Sequence, residues 1–353
     1  MKKSKRQRII APLRCVRVIA SGSVAGREEH RGPLGDTFDF HDATDDRFGM
    51  STWEKAESEM QRLAMQSALK GARLDDGELD YLLAGDLMNQ CVGSNYGLLT
   101  FGVPYLGLYG ACSTMAEGML LGSLLVGGAE RRCGVATSSH NCTAARQFRC
   151  PGESGGQRPP TAQWTATAAG AVILSSVPED EDRLHGSFEI RVTETLAGEA
   201  IDAGITDMGN MGAAMAPAAA DTLERYFRES GREPESFDLI VTGDLGAEGS
   251  GILDDLLHAH GFPIAPRHAD CGLLLYDRER QDKHAGGSGC GCSAVVMASH
   301  VLRNMAEGVY RDVLFVGTGA LMNPMTVQQG LSIPGIAHLV HLEAVRRTKG
   351  GER

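Results

Sequence analysis

The chain states one pattern twice, and this doubling limits what it can fold into. The run LDYLLAGDL (79–87) returns as FDLIVTGDL (237–245), each a short apolar strand closing on Gly-Asp-Leu. An amphipathic stretch of helical period precedes each run, Trp53 to Lys70 in the first case and Ala218 to Ser230 in the second. A longer pair keeps the same order. GACSTMAEGMLLGSLLVGGAERRCGVATSS (110–139) and GCGCSAVVMASHVLRNMAEGVYRDVLFVGTGA (289–320) both run from a Cys-Gly turn through a helix and a basic residue to an apolar strand and a small-residue loop. The spacing predicts an α/β fold made of two βαβ-type halves, residues 1–176 and 188–353. The apolar strand TATAAGAVILSS (165–176) closes the first half, and the charged stretch 177–187 serves as a surface connection. Alternating strands and helices predict mostly parallel sheets with helices on both faces and functional groups at the carboxyl ends of the strands.

At 353 residues the chain can bury roughly three quarters of its unfolded surface. Its formal net charge of -11 disfavours nucleic acid as a partner, because that affinity rests on Lys and Arg neutralising phosphates. Nine scattered Cys read as reduced thiols of a cytosolic setting rather than a disulfide framework. The amino-terminal stretch begins basic, but Arg14 and Arg17 interrupt what an export signal would need as an apolar core. The apolar run from Met119 to Ala129 is shorter than the roughly 20 residues of a spanning helix, so any membrane association is expected to be peripheral.

Cys112 follows Gly110-Ala111 and directly precedes a helix. A helix amino terminus favours the thiolate, and Thr114 with Glu117 has the spacing of a capping box that would start the helix just past the sulfur. Three roles are open for this residue: nucleophile, lining of a pocket, or buried inert thiol. The C-x-C of Cys290 and Cys292 has no second pair, so no structural metal site is expected there.

The duplicated unit, the cysteine at the head of an apolar helix and TATAAGAVILS resemble the thiolase and ketoacyl-ACP synthase superfamily. AGDLMNQ, YGACST, SSHNCTAARQFRCP, DMGNMGAAMAPAAADT, VTGDL and AGGSGCGCSA go further. Over nearly the whole chain they resemble the stage V sporulation protein AD family, the thiolase-like member of the spore dipicolinate-uptake system. That resemblance implies a five-layered αβαβα fold and a position on the cytosolic side of the inner forespore membrane beside integral membrane proteins. It also implies binding of pyridine-2,6-dicarboxylate (dipicolinic acid), free or as its calcium complex, and a homodimer.

In the condensing enzymes of the superfamily a His follows the second-half strand, and a later Gly-rich turn supplies an Asn or a second His. Here Gly243-Asp244 and GGSGCGCS (286–293) stand at the matching positions, and neither contains His or Asn. The expectation is therefore a kept cradle without the base that acyl transfer needs, with Cys112 at the position of a former nucleophile. An acyltransferase using Cys112, with His140 recruited as its base, is the alternative, and a scaffold for membrane partners is another.

A planar dianion needs hydrogen-bond donors and a flat slot. The turns at Gly110 to Ser113 and Gly286 to Ser293, with Cys112, Ser113, Ser288 and Gly289, are candidates for supplying them. His140 and Asn141 follow the strand ending at Ser139 and are expected to project toward the same region. Arg146, Arg149 and Arg158 offer guanidinium groups from the loop beyond, with solvated surface arginines as the plainer reading. Asp86, Asn89 and Asp244 sit on the paired strand ends, where the two Asp carboxylates would repel an anion unless calcium lies between them, and helix capping is the other reading of all three.

Overall fold

The structure, a computed structural model, describes residues 8–148 and 158–347. Its strands are β1 (Val16–Ala25), β2 (Phe40–His41), β3 (Tyr81–Gly85), β4 (Tyr105–Gly107), β5 (Arg132–Ser139), β6 (Trp164–Thr165) and β7 (Ala168–Ser175) in the first half. The second half holds β8 (Phe188–Leu196), β9 (Leu239–Thr242), β10 (His268–Asp270), β11 (Gly287–Ser288), β12 (Asp312–Ala320) and β13 (Gly335–Arg346). Read outward from the centre, the hydrogen-bonded order is β1-β7-β5-β3-β4 on one side and β8-β13-β12-β9-β10 on the other, with β2 beside β1.

The two orders are the same order, and the strand directions match as well. β3 runs parallel to β4 and β5, as β9 does to β10 and β12. β7 lies antiparallel between β1 and β5, as β13 does between β8 and β12. The sheets are thus mixed rather than mostly parallel, because each half ends on a strand that returns through its middle. β1 and β8 join the halves, with Val16 to Val18 antiparallel to Ile190 to Val192.

Helix Thr114–Gly128 packs on β3, β5 and β7 of one half and on β8, β12 and β13 of the other. It is apolar almost all round because it is enclosed between two sheets, which leaves no solvent face to pattern. Helix Cys290–Val296 lies beside it on β1, β5 and β7 and continues through a π-helical turn, Met297–Val301, to Glu307. Helix Trp53–Ala72 covers the outer face of the first sheet, and helix Met211–Ser230 covers that of the second with helix Gly246–Ala259 packed against it. The layers are therefore αβαβα. The second outer helix starts at Met211, earlier than its apolar period announces. The Asn210 side chain caps it by accepting from Ala213 N–H, and Pro217 is carried within it.

The connection 177–187 is less superficial than its charge suggests. Asp180 is fully buried and accepts from Arg132 Nε and Nη2 at 2.7 and 2.8 Å, anchoring the link to the start of β5.

Candidate functional site

Two turns meet where the halves face each other. The 3-10 turn Ala111–Ser113 leads into helix Thr114–Gly128, with Ala111 forced to φ 52°. β12 crosses against it so closely that a Cβ on Gly319 would lie 2.8 Å from Gly110 O, and one on Gly317 would lie 2.5 Å from Ala116 Cβ. The opposing turn is β11 with Gly289, held by pairing with β6 of the first half, Trp164 to Gly287 and Thr165 to Ser288. Gln163 reinforces that pairing by donating from Nε2 to Asp244 O and Gly287 O at 2.6 and 2.8 Å.

Cys112 is buried, and its Sγ faces Ser288 Oγ at 4.0 Å. Ser288 Oγ donates to Asp244 Oδ2 at 3.1 Å, Gly289 N–H donates to the same oxygen at 2.9 Å, and Thr318 Oγ1 donates to Asp244 Oδ1 at 2.9 Å. A sulfur, a hydroxyl and a carboxyl therefore stand in series, each from a different turn or strand end. Burial raises the Asp244 carboxyl to about 6, against the hydrogen bonds that lower it. Burial also pushes the Cys112 thiol well above its usual range, and the neighbouring Asp244 charge adds to the shift. The helix terminus thus does not yield a thiolate, since desolvation and a nearby carboxylate outweigh the dipole.

The capping box does not form. Thr114 Oγ1 instead donates to Ala111 O at 2.6 Å, and the buried Glu117 Oε2 has no partner among the described residues. Ser113 turns its hydroxyl onto Gly110 O at 2.7 Å. The Gly-rich turn is also less open than expected, because Gly289 N–H serves Asp244 and Gly291 N–H donates to Ser139 Oγ at 3.2 Å.

His140 does not reach the sulfur. Its Nε2–H donates to Asp46 O at 2.9 Å, and its Nδ1 accepts from Cys142 N–H at 3.1 Å, so both ring nitrogens are engaged. Burial lowers its pKa and keeps the ring neutral. Asn141 Nδ2 ties back to Thr165 O at 3.2 Å and so positions β6. Asp86 is buried and caps a local turn, accepting from Met88 N–H at 2.9 Å and from Ser94 N–H and Oγ at 2.8 and 2.7 Å. Asn89 is exposed, with its N–H on Gln147. Asp86 and Asp244 accept from separate sets of donors, and Asn89 Oδ1 accepts from Tyr109 Oη at 3.5 Å, so the three side chains are engaged apart rather than gathered around one calcium position. Arg149 lies outside the described residues. Arg146 pairs with Glu54 and Arg158 with Asp282.

Among the described residues, one cluster has the donor set of a metal site: Asp312, His341 and Glu343. The Arg232 guanidinium stands 3.4 Å from His341 Nε2 and already supplies the positive charge there. A groove of about 630 Å³ lies elsewhere, at the seam of β1 and β8, and includes none of the expected site residues.

Several contributors are not among the residues the sequence reading singles out. Thr318 and Gln163 reach Asp244 across 74 and 81 positions. Glu57 is fully buried within helix Trp53–Ala72, accepting from Thr143 Oγ1 and Ser138 Oγ at 2.5 and 3.4 Å. Burial, with the Asp86 charge beside it, raises the Glu57 carboxyl well above the normal range. A usable hint existed, since Glu57 shares a helical stripe with Met60, Ala64 and Ala68.

A family model described as stage V sporulation protein AD matches residues 7–343. The chain belongs to the stage V sporulation protein AD family. Stage V sporulation protein AD of Bacillus subtilis (strain 168) is 45% identical over 329 residues, spanning 92% of this chain and 94% of the relative. Similar folds occur in 3-oxoacyl-[acyl-carrier-protein] synthase III of Aquifex aeolicus VF5, with a TM-score of 0.56 at 14% identity over 93% of this chain and 99% of that one. OleA of Xanthomonas campestris (E117D) is similar with a TM-score of 0.58 at 12% identity, over 96% of this chain and 100% of that one. At those identities the likeness concerns the thiolase-like fold alone. In this chain the site just described pairs the cysteine with a hydroxyl and a carboxyl.

Proposed function

We propose that this protein binds dipicolinate, free or as its calcium complex, without transforming it. In this reading it hands the ligand on for uptake into the developing spore, as the cytosolic-side, peripheral component of a membrane transport assembly with integral membrane partners. Membership of a sporulation family supports the setting. The observation that carries the noncatalytic part is the environment of Cys112: a protonated thiol beside Ser288 and Asp244, with the His140 ring nitrogens engaged elsewhere. Acyl transfer needs a base that can take the thiol proton and an oxyanion site, and a carboxyl near pKa 6 is a weak base for so basic a thiol. The same carboxyl suits binding, because its protonated form donates to a ligand carboxylate, and calcium arriving with the ligand would offset the charge of its ionised form.

Titration calorimetry of dipicolinate, with and without calcium, into the wild type and the Cys112→Ala and Ser288→Ala variants tests this reading. Saturable binding weakened by either substitution is expected. Absence of heat in the wild type under both conditions, with membrane partners still recovered in pull-downs, would instead favour a scaffold. The condensing synthases that share the fold motivate one further check: incubation with acyl-CoA of several chain lengths followed by intact-mass measurement. No adduct on Cys112 is expected, and a stable acyl mass there would replace binding by acyl transfer.

A further inference from the structure

Glu29 is a buried carboxylic acid in the short helix Arg27–His30, remote in sequence from both site turns. Its Oε1 accepts from Tyr276 Oη and from Thr167 N–H, the latter at 3.0 Å. Its Oε2 is buried and has no hydrogen-bond partner among the described residues. A Cβ placed on Gly26 would lie 2.7 Å from that oxygen and 2.8 Å from Asp46 Oδ1, so the two carboxyl groups flank one point. Asp46 Oδ1 accepts from Arg27 N–H at 2.6 Å. A proton on Glu29 Oε2 would remove the charge from this partnerless buried oxygen, beside which the Asp46 carboxylate stands.

Tyr276 links this acid to the site. It opens the segment that runs from helix Cys271–Leu275 to β11, and a Cβ on Gly287 would lie 2.9 Å from its ring. Gly287 is followed by Ser288 and Gly289, which hold Asp244 beside Cys112. The same segment is strapped to the Glu29 helix at two further points: Gln281 Nε2 donates to Glu28 O at 2.7 Å, and the buried Lys283 Nζ stands 3.3 Å from Glu28 Oε2. Lys283 also sits 3.6 Å over the ring of Trp164, the β6 residue paired with Gly287.

We propose that Glu29 is a positioning residue: in its uncharged form, bonded to Tyr276 and Thr167, it holds the Tyr276-to-Ser288 segment against the first half and so sets the geometry of the Cys112 turn for its ligand. The ligand part rests on the dipicolinate reading above, and the positioning part does not. The titratable and charged groups facing Glu29 are Tyr276 from the segment, Asp46 from the loop after β2, and Glu28 with its partner Lys283. Burial raises Glu29 to about 7, the bonds from Tyr276 and Thr167 pull it down, and the Asp46 charge raises it again. Because the folded pKa lies above that of an exposed glutamate, the clamp is tightest below that exposed value and weakens as pH rises toward 7. Opening of the segment should increase about tenfold per pH unit between the two values and level off above the upper one.

Trp164 reports on the clamp directly. In a Trp53→Phe background it is the remaining tryptophan, and its emission is expected to change with a midpoint near pH 7, matching the raised Glu29 acid. Glu29→Gln, which keeps the acceptor and carries a permanent donor, should hold the low-pH emission throughout. Glu29→Ala should show the high-pH emission throughout. A wild-type emission without a transition, or a transition that survives in Glu29→Gln, overturns the positioning role. Dipicolinate titrations of the same proteins at pH 6 and 8 separate the two readings. Tighter binding by Glu29→Gln than by wild type at pH 8 supports the coupling. An intact emission transition with no dipicolinate binding in any form removes the ligand assignment and leaves the positioning of the segment standing.

Discussion

Asp244 shows what a single buried carboxyl costs and what it holds. It is fully buried, and its oxygens take bonds from Ser288, Gly289 and Thr318, so it joins three segments that are distant in the chain. Its folded pKa is raised from 3.8 to about 6, so the folded protein keeps a proton that the unfolded chain releases. Stability from this group is therefore present at low pH and is lost as pH rises through about 6. Between pH 4.5 and 7 the loss should be about 2 kcal/mol for the wild type and absent in Asp244→Asn. Urea denaturation of both proteins at the two pH values measures it, and a variant-minus-wild-type difference that stays constant would contradict the raised acid. His341 follows the same sign through different chemistry. It is fully buried between Asp312 and Glu194, whose hydrogen bonds raise its pKa against desolvation, so its stabilising proton is also lost as pH rises.

At the scale of elements, the inner helices owe their places to missing side chains. Helix Cys290–Val296 meets the first sheet backbone to backbone: a Cβ on Gly291 would lie 2.2 Å from Ala168 O, and one on Gly170 would lie 2.2 Å from Ala294 O. Gly170→Ala and Gly291→Ala should each lower stability by roughly 1–3 kcal/mol, because backbone cannot yield as a side chain does. Gly71→Ala is the control with opposite sign. Its Cβ would meet nothing closer than 3.6 Å in an ordinary helix, so a gain of roughly 0.5–1 kcal/mol in denaturant unfolding is expected. These elements also show where sequence reading succeeds. The repeated Gly-Asp-Leu and Cys-Gly turns announced β3, β5, β9 and β12 and the helices before β5 and β12, because a duplicated pattern checks itself. It gave no sign that β7, legible as the apolar strand closing the first half, and β13 return antiparallel, since a strand buried on both faces reads the same in either direction. Cys112, Asp244, Ser288 and Gly289, which lie in the repeated turns, are brought together by the structure, whereas their role as a ligand site is a proposal. His140, Asp86 and Asn89 were named for the same region, but their bonds go to local backbone and side chains that one-dimensional spacing cannot rank. Glu29 and Tyr276, 247 positions apart, carry no local pattern at all.

Across the whole molecule the two halves are alike in order but not in how they end. At one edge the sheet ends on β10, which pairs with β9 alone among the described residues, with Asp270 buried and His268 tied to Asp254 and Thr242. On the other side it stops at β4, which pairs with β3 alone among the described residues and leaves Leu106 45% exposed. Leu99, Tyr96 and Tyr109 flank that edge at 72%, 70% and 50% exposure. An unpaired strand among exposed apolar side chains is a template for another strand, and a second copy of the same chain meets it with an isologous two-fold contact. A homodimer along β4 is therefore expected, with the dimer mass in sedimentation equilibrium. Leu106→Lys combined with Leu99→Lys should give a monomer with unchanged circular dichroism. Each chain carries a formal net charge of -11, so two copies repel and the apolar edge must supply the attraction. Raising ionic strength should then tighten the association, whereas an interface held by ion pairs would loosen. A wild-type monomer at all salt concentrations, or a dimer untouched by the double substitution, would place the contact elsewhere or remove it.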